Sequence, residues 1–245
     1  MPLRRIALAA LRTFSPGDIT IKHHWWPEAR VKLDCYRHKG YWFHGRNRER
    51  AFMETIAELV GEGDTVIDIG GHIGYLALHL RGLVGPEGKV FVFEPGKNNL
   101  PYIEANCQNY PNIQIVPSAC SDSDGEAELW VEDLTGQNNS LLNNYKAFDD
   151  NRHRAFSKET TKAIKVKTIR LDGFVSEQKL KPDFIKIDVE GAELQVLQGA
   201  EACLREHKPK LLVEVTENKE TVEELLKGHG YSIQRHGKPE WVCLP

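Results

Sequence analysis

The chain has 245 residues, of which 40% are hydrophobic and 27% charged, and its formal net charge is -3. This length suits one α/β domain with an N-terminal appendage, and the composition is sufficient for a sizeable core. The negative charge argues against general nucleic-acid binding, and no apolar stretch in the sequence reaches the length of a membrane span. The five cysteines are odd in number and lack CxxC spacing, which is typical of a reduced, cytoplasmic protein.

We expect residues 1–48 to form the appendage and residues 49–245 the main domain. Residues 1–50 contain eleven Lys and Arg against four Asp and Glu, so they carry +7 and the rest of the chain carries -10. They also hold three of the five tryptophans, Trp25, Trp26 and Trp42. Such a segment is compatible with contact to an anionic or sugar-like substrate, or with peripheral contact to a membrane surface. The alternative is a solvated face whose aromatic residues pack the segment onto the main domain.

Apolar periodicity and turn residues predict the helices and strands of the first half. In chain order these are hairpin strands at Arg30–Tyr36 and Tyr41–His44, a helix at Glu49–Val60, a strand at Thr65–Ile69, a helix from about His72 to Leu83, a strand at Lys89–Glu94, a helix at Asn98–Asn109, and strands at Ile113–Ala119 and Glu126–Val131.

The second half continues the alternation after a polar insertion at 133–163, which we interpret as a lid or substrate loop. Its predicted elements are strands at Val166–Leu171 and Phe184–Val189, a helix at Ala192–His207, a strand at Lys210–Val215, a helix at Val222–Lys227, and a closing antiparallel hairpin of Tyr231–Arg235 and Trp241–Leu244. Alternating strands and helices predict a doubly wound, mostly parallel sheet with its ligand at the carboxyl ends of the strands.

A glycine loop follows the first parallel strand. Gly70, Gly71 and Gly74 have no Cβ and allow a ligand to approach the backbone, with a helix expected to begin near His72. Their spacing is not the GxGxxG of nicotinamide-dependent dehydrogenases. Asp68, just before the glycines, would repel a pyrophosphate but suits the ammonium group of a methionine moiety. The alternative is that Asp68 only braces the loop.

Glu94 ends the second strand, twenty-six positions after Asp68, and Pro95 follows it. A carboxylate there can accept hydrogen bonds from both hydroxyls of a ribose. The alternative is a surface glutamate before a proline. Together with the glycine loop, Glu94 makes S-adenosylmethionine the first ligand to consider. Ser121 and Asp122 after the third strand could bond an adenine amino group, or could simply form a turn.

Asp188 and Glu190 follow the strand that begins at Phe184, and the alternation points both to one side. Two acids there can act as a general base, bind substrate hydroxyls or ligate a metal. The alternative is capping of the next helix. A metal site is not expected, because no third acid or histidine has ligand spacing. His72 could polarise a substrate hydroxyl, or could belong only to the first helical turn.

The motifs together resemble the FkbM-type S-adenosylmethionine-dependent methyltransferases, a branch of the Rossmann-like class, over about residues 61–217. The residues that carry the resemblance are Gly63 to Gly70 with Ile73-Gly74-Tyr75, Phe93-Glu94-Pro95 with Asn106, Ala119 to Asp122 with Gly125, Val166 to Asp172, and Lys186 to Glu193 followed by Val196 to Ala200.

The resemblance implies a seven-stranded sheet and methyl transfer to a hydroxyl of a sugar, glycolipid or secondary metabolite. It implies that Asp68, Gly70, Gly74 and Glu94 hold the cofactor, with Ser121-Asp122 near the adenine. Two positions depart from the family, because alanine is usual at Gly71 and asparagine at His72.

We therefore expect an O-methyltransferase in which Asp188 or Glu190 orients or deprotonates the hydroxyl of a small-molecule or glycan acceptor. One alternative is a nucleotide-dependent oxidoreductase on a similar sheet, against which the missing dinucleotide spacing argues. The other is a family member that binds S-adenosylmethionine without catalysis.

Overall fold

The computed structural model describes residues 11, 13–132, 135–142, 161–235 and 239–245. Its strands are β1 Asp18–Lys22, β2 Arg30–Asp34, β3 Thr65–Ile69, β4 Lys89–Phe93, β5 Ile113–Val116, β6 Ala119–Cys120, β7 Gly125–Val131, β8 Lys162–Ile169, β9 Phe184–Ile187, β10 Lys210–Glu214, β11 Ser232–Arg235 and β12 Glu240–Leu244. Its helices are α1 Lys39–His44, α2 Arg50–Leu59, α3 Tyr75–Val84, α4 Leu100–Cys107, α5 Leu171–Glu177, α6 Glu193–Gln198, α7 Glu201–Glu206 and α8 Lys219–Gly228, with a 3-10 turn at Gly45–Asn47.

A seven-stranded sheet positions the site. Its strand order is β11-β12-β10-β9-β3-β4-β5, and β12 runs antiparallel to both β10 and β11 while the other neighbours are parallel. The predicted doubly wound, mostly parallel sheet and its closing hairpin are therefore confirmed. The chain turns outward from β3 to β4 on one side and returns at β9 on the other. This reversal creates a crevice at the carboxyl ends of β3 and β9.

The alternation of side chains along each strand divides the core into two layers. Ile67 and Ile69 of β3 contribute to the layer that contains Leu171 and Leu204, while Val66 contributes to the layer against the N-terminal segment. Both layers are apolar because a central parallel strand is covered on each face.

The third predicted strand, Ile113–Ala119, is in fact two strands in two sheets. The main-sheet strand β5 ends at Val116, and Ala119–Cys120 pairs instead with β8 in a three-stranded sheet of order β6-β8-β7. Pro117 explains the break, because proline has no N–H to donate to a ladder. The carbonyl of Val116 accepts the last hydrogen bond from the β4 side, from Glu94 N at 3.2 Å, and a turn hydrogen bond of 2.8 Å from Ser118 N.

The predicted single helix Ala192–His207 is two helices, α6 and α7. The carboxylate of Asp172 accepts hydrogen bonds from the backbone N–H groups of Ala202 at 3.1 Å and Cys203 at 2.9 Å. These contacts cap the start of a second helix. Between the helices, Gly199 lies so close to the Ser121 carbonyl that a Cβ would be 2.0 Å from its oxygen.

The predicted N-terminal hairpin has a different partner. β2 pairs antiparallel with Asp18–Lys22, and the segment predicted as a strand at Tyr41–His44 is helical. The Asp34 carboxylate ends β2, because it accepts hydrogen bonds from the N–H groups of Tyr36 at 2.9 Å and Arg37 at 2.6 Å. These bonds turn the chain before a second strand can begin.

The N-terminal segment packs against one face of the main sheet. Val31 and Leu33 are fully buried in the core, and Trp25 and Trp26 pack against it. The aromatic residues therefore act as anchors, as the second interpretation of this segment predicts. Among the described residues, no helix is both long and apolar enough to cross a bilayer.

Asn106 of α4 fixes this docking. Its amide accepts a hydrogen bond from the Lys32 N–H at 2.6 Å and donates to the carbonyls of Lys32 at 3.1 Å and Ile73 at 2.8 Å. Its side chain thus links β2 to the loop that follows β3.

We expect Asn106→Ala to lower the free energy of unfolding by roughly 2–4 kcal/mol, because buried backbone groups lose their partners. Urea unfolding measures this change. Gln108→Ala on the same helix, where the amide is exposed and bonds only the Ala105 carbonyl, is the matched control and should change little. Equal midpoints for both variants would contradict the assigned role of Asn106.

Candidate active site

A cavity of about 320 Å³ opens at the carboxyl ends of the central strands. Its walls come from the loop after β3, the end of β4, residues 118–120, residues 136–141, the ends of β9 and β10, and the segment 41–52. This volume lies in the range of ligand pockets. Residues of the described part of the predicted insertion, 135–142, line the cavity, and a role as lid or substrate loop stays a prediction. The other residues of 133–163, apart from 161–163, lie outside the described residues.

The glycine loop is built by close backbone contacts. The N–H groups of Gly70 and Gly71 both donate to the Phe93 carbonyl at 3.0 Å. Gly70 has a φ of +88°, and a Cβ there would lie 1.9 Å from the Asp188 carbonyl oxygen. Only glycine therefore fits where β3 leaves the sheet between β4 and β9.

The helix after this loop begins at Tyr75, so the prediction of a start near His72 is wrong. His72 and Gly74 both have positive φ, +49° and +79°, and the three residues before Tyr75 form a turn. The His72 N–H accordingly donates to the Glu94 carboxylate at 2.7 Å. The helix N-terminus lies farther from the strand end than the sequence predicts.

Glu94 lies at the end of β4, lines the cavity and is 4% exposed. Its Oε1 accepts hydrogen bonds from Gly96 N at 2.7 Å and from the Asn99 amide at 3.2 Å, while Oε2 accepts the one from His72 N. Burial raises the pKa of Glu94 to about 7, although these donors favour the ionised form. The carboxyl group therefore titrates near neutrality.

Lys186 of β9 links the end of β3 to the end of β9 at the site. Its ammonium lies 3.2 Å from Asp68 and 3.5 Å from Asp188, and it donates to the carbonyl of Gly70 at 2.9 Å. Asp68 is fully buried, and neither of its carboxylate oxygens accepts a hydrogen bond from a described residue. Its charge is thus balanced by the ion pair. Burial lowers the pKa of Lys186, but the two carboxylates outweigh it and keep this pKa above its usual range.

His72 is buried with both ring nitrogens engaged. Nε2 lies 3.1 Å from the Thr135 carbonyl and Nδ1 lies 3.1 Å from the Tyr41 hydroxyl. Because a carbonyl can only accept, Nε2 carries the proton and Nδ1 accepts from Tyr41. Burial holds the pKa of His72 well below its usual range, so the ring is neutral. In these contacts neither nitrogen is open to a substrate, and His72 links the appendage to the insertion.

The structure brings most of the predicted site residues to the cavity wall. Those that line it are Gly70, Gly71, His72, Glu94, Pro95, Asp188 and Glu190. Four others do not line it, namely Asp68, Gly74, Ser121 and Asp122. Asp68 lies behind the wall on Lys186, and a Cβ at Gly74 would meet the side chain of Ile103 at 2.9 Å. The three residues before Ser121 line the cavity in its place.

Several residues at the wall were missed from the sequence, chiefly Tyr41, Arg48, Phe52, Asn99, Ser118, Gln137, Asn139, Lys186, Glu214 and Glu240. Lys186 had a signal, because it lies two positions before Asp188 on the same strand and shares its side. Glu214 also had a local signal, because it is an acidic residue at the carboxyl end of a predicted strand, as Glu94 is. Those of the N-terminal segment had no local signal, because long-range packing places them.

The seven-stranded sheet with an antiparallel closing hairpin, and a glycine loop and acidic strand ends around one cavity, define a Rossmann-like methyltransferase of the S-adenosylmethionine-dependent class. The chain belongs to the FkbM methyltransferase family, because the sequence model described as "Methyltransferase FkbM domain" matches residues 68–233. The resemblance of the motifs is therefore confirmed.

Known proteins agree with this assignment. Methyltransferase 1 of Beauveria bassiana (strain ARSEF 2860) is 25% identical over 196 residues, covering 72% of this chain and 75% of that protein. Hexuronic acid methyltransferase AglP of Haloferax volcanii is 26% identical over 159 residues, covering 64% and 58%. The crystal structure of a methyltransferase FkbM from Methylobacillus flagellatus KT aligns with a TM-score of 0.52 at 17% identity, covering 83% of this chain and 60% of that one. This last similarity shows the fold alone.

We expect Lys186→Met to lower the free energy of unfolding at pH 7 by about 3–5 kcal/mol, because it leaves the Asp68 charge buried and unpaired. Burial already raises the Asp68 pKa above its unfolded value of about 4 although Lys186 opposes this, and loss of the cation raises it further. The folded variant then binds more protons than the unfolded chain, so its stability falls as pH rises from 4. The deficit relative to wild type should be smaller at pH 5 than at pH 8.

Denaturant unfolding at the two pH values measures this effect. Replacing both partners, Lys186→Met with Asp68→Leu, should restore most of the loss, because an apolar pair replaces the ion pair. Lys89→Met on β4, where the side chain is exposed, is the control. A loss that is independent of pH would contradict the account.

Proposed function

We propose that this chain transfers a methyl group from S-adenosylmethionine to a hydroxyl oxygen of a sugar, glycolipid or secondary metabolite. The observation that carries this proposal is the charge of the cavity wall. Among the described residues it holds six carboxylates, of Glu49, Glu94, Asp188, Glu190, Glu214 and Glu240, against the two cations of Arg48 and Lys186. Such a wall would repel a pyrophosphate and suits a ligand with a sulfonium and an ammonium group.

The residues present fit this ligand at Glu94. A carboxylate oxygen has two acceptor positions, and the Oε2 atom of Glu94 uses one of them for the His72 N–H. One position of Oε2 therefore remains for a ribose hydroxyl, while the Oε1 atom is already bonded to Gly96 and Asn99. The ionised form of Glu94 is required for its full accepting capacity.

When bound, S-adenosylmethionine supplies an electrophilic methyl group, and the chain supplies position and environment. Asp188 and Glu190 line the wall where a hydroxyl can be oriented. Gln137, Asn138 and Asn139 border the cavity from the insertion and can shield it from water. Shielding favours a reaction that removes the positive charge of a sulfonium.

The acceptor side of the cavity is formed by the N-terminal segment. Tyr41 and Phe52 present aromatic side chains, and Arg48 lies 4.4 Å from the centre of the Tyr41 ring. The Arg48 Nε atom is buried without a hydrogen-bond partner among the described residues. Aromatic faces with a nearby donor suit a carbohydrate that bears an acidic group, and one relative is named a hexuronic acid methyltransferase. The acceptor class is part of this proposal.

We expect calorimetric titration to show binding of S-adenosylmethionine and none of NADH. Because Glu94 has a pKa of about 7, its ionised fraction should fall between pH 8 and pH 6. Affinity should then weaken by up to about tenfold over this interval. Glu94→Ala should abolish this pH dependence and most of the affinity, whereas Glu104→Ala on the exposed face of α4 should do neither.

Turnover is tested by measuring S-adenosylhomocysteine with methyl glucoside, glucuronic acid and a lipid glycoside as acceptors. The proposal predicts a product with a methyl ether and an acceptor-dependent rate. Binding of S-adenosylmethionine without turnover on any acceptor would favour a non-catalytic family member, and binding of NADH alone would favour an oxidoreductase.

A further inference from the structure

Glu214 occupies a position in the main sheet that mirrors that of Glu94. It is the last residue of β10, as Glu94 directly follows β4, and both side chains line the same cavity. The strands lie on opposite sides of β3 and β9 in the sheet order. The two glutamates therefore mark two ends of one crevice, with Asp188 and Lys186 between them.

A second carboxylate is fixed opposite Glu214. In the antiparallel pair of β10 and β12, Glu214 is the register partner of Glu240, which begins β12 and also lines the cavity. Directly opposed side chains in such a pair lie close together, and like charges there repel. The sheet register thus holds a negative neighbour against Glu214.

Glu214 also differs from the other acids of the wall in its contacts. Among the described residues, none donates a hydrogen bond to its carboxylate or lies within ion-pair distance of it. Asp188, in contrast, lies 3.5 Å from the Lys186 ammonium. The Glu190 residue has a φ of +53°, and its carbonyl accepts a hydrogen bond of 2.6 Å from Ser140. A base must keep its oxygens open to the proton it takes.

We propose that Glu214 is the general base that takes the proton of the acceptor, and that Glu240, its register partner on β12, is a positioning residue. The inference rests on the proposed methyltransferase function and names a residue that acts in it. Asp188 then remains with Lys186 as part of the frame that orients the acceptor.

The charges around Glu214 agree with this role. Burial and the nearby carboxylates of Asp188, Glu240 and Glu49 together raise the pKa of Glu214 to about 8, although Lys186 opposes the rise. A base works best when its pKa lies near the working pH. Glu214 is active when ionised, so turnover should increase as pH rises through its pKa.

The acceptor oxygen forms a bond to the methyl carbon, the carbon–sulfur bond breaks, and its electron pair stays on sulfur. The proton of the hydroxyl passes to the Glu214 carboxylate, which later releases it to solvent. The sulfonium becomes a neutral sulfide, and no oxidant, reductant or metal is needed.

The test compares Glu214→Gln, Glu240→Gln and Glu128→Gln in the full chain. Glu128 is an exposed residue of β7 and serves as the control. S-adenosylmethionine affinity is measured by calorimetry. The pH dependence of kcat is measured with an acceptor that the wild-type protein methylates, chosen from methyl glucoside, glucuronic acid and the lipid glycoside. In parallel, the protein is labelled with ¹³C-glutamate and its carboxyl signals are followed against pH by NMR. The Glu214 signal is assigned as the one that is missing from the Glu214→Gln spectrum.

We expect Glu214→Gln to lower kcat by about 100-fold or more, the usual contribution of a general base, with S-adenosylmethionine affinity unchanged. Glu240→Gln should move the acidic limb of the kcat profile and the NMR midpoint of Glu214 to lower pH, which a merely structural residue would not do. The control should match wild type in every measurement.

Four outcomes decide between the claims. Wild type that does not bind S-adenosylmethionine overturns the proposed function itself. Normal binding with unchanged kcat in Glu214→Gln overturns only the role of Glu214. If none of the acceptors reacts, the NMR titration of Glu214 decides. A midpoint near 4.5 that is the same in Glu240→Gln overturns the role of Glu214, whereas a midpoint near 8 that is lower in Glu240→Gln supports this role.

Discussion

The site is arranged around the buried ion pairs of the Lys186 ammonium. Lys186 lies on β9, directly beside Asp68 of β3 in the parallel register, and it also contacts Asp188 and the Gly70 carbonyl. One cation thus ties together the two strands between which the connections of the sheet reverse. A charge so deeply buried is stable only with paired partners, so the loop after β3 and the end of β9 are held in one geometry. The cavity opens directly above this junction.

The walls of the cavity come from parts of the chain that are far apart in sequence. The acidic strand ends and Gln137 of the insertion lie within residues 68–233, which the family model matches, whereas Tyr41 and Arg48 come from the appendage before this range. His72 joins these parts, because it bonds Tyr41 on one side and the Thr135 carbonyl on the other. The strand ends of the wall therefore lie within the family domain, while Tyr41 and Arg48 are added to it from outside the matched range.

How far the sequence predicts the structure depends on how local each cause is. The strand Thr65–Ile69 and the position of Glu94 were predicted because apolar runs and glycines act over a few residues. Pro117 is an equally local signal for the end of β5, but it was not used. The break between α6 and α7 could not be predicted, since its cap is the carboxylate of Asp172, about thirty residues earlier. The pairing of Asp68 with Lys186 likewise depends on the register of two distant strands.

The measurement that tests the account most directly is a crystal structure of the protein with bound S-adenosylhomocysteine. The account predicts that a ribose hydroxyl bonds the Oε2 atom of Glu94 and that the sulfur atom points toward the space between Asp188 and Glu214. It also predicts that Lys186 keeps its contacts with Asp68 and Asp188. A ligand bound outside this cavity, or one whose ribose does not contact Glu94, would contradict the central claim that one crevice above Lys186 holds both reactants.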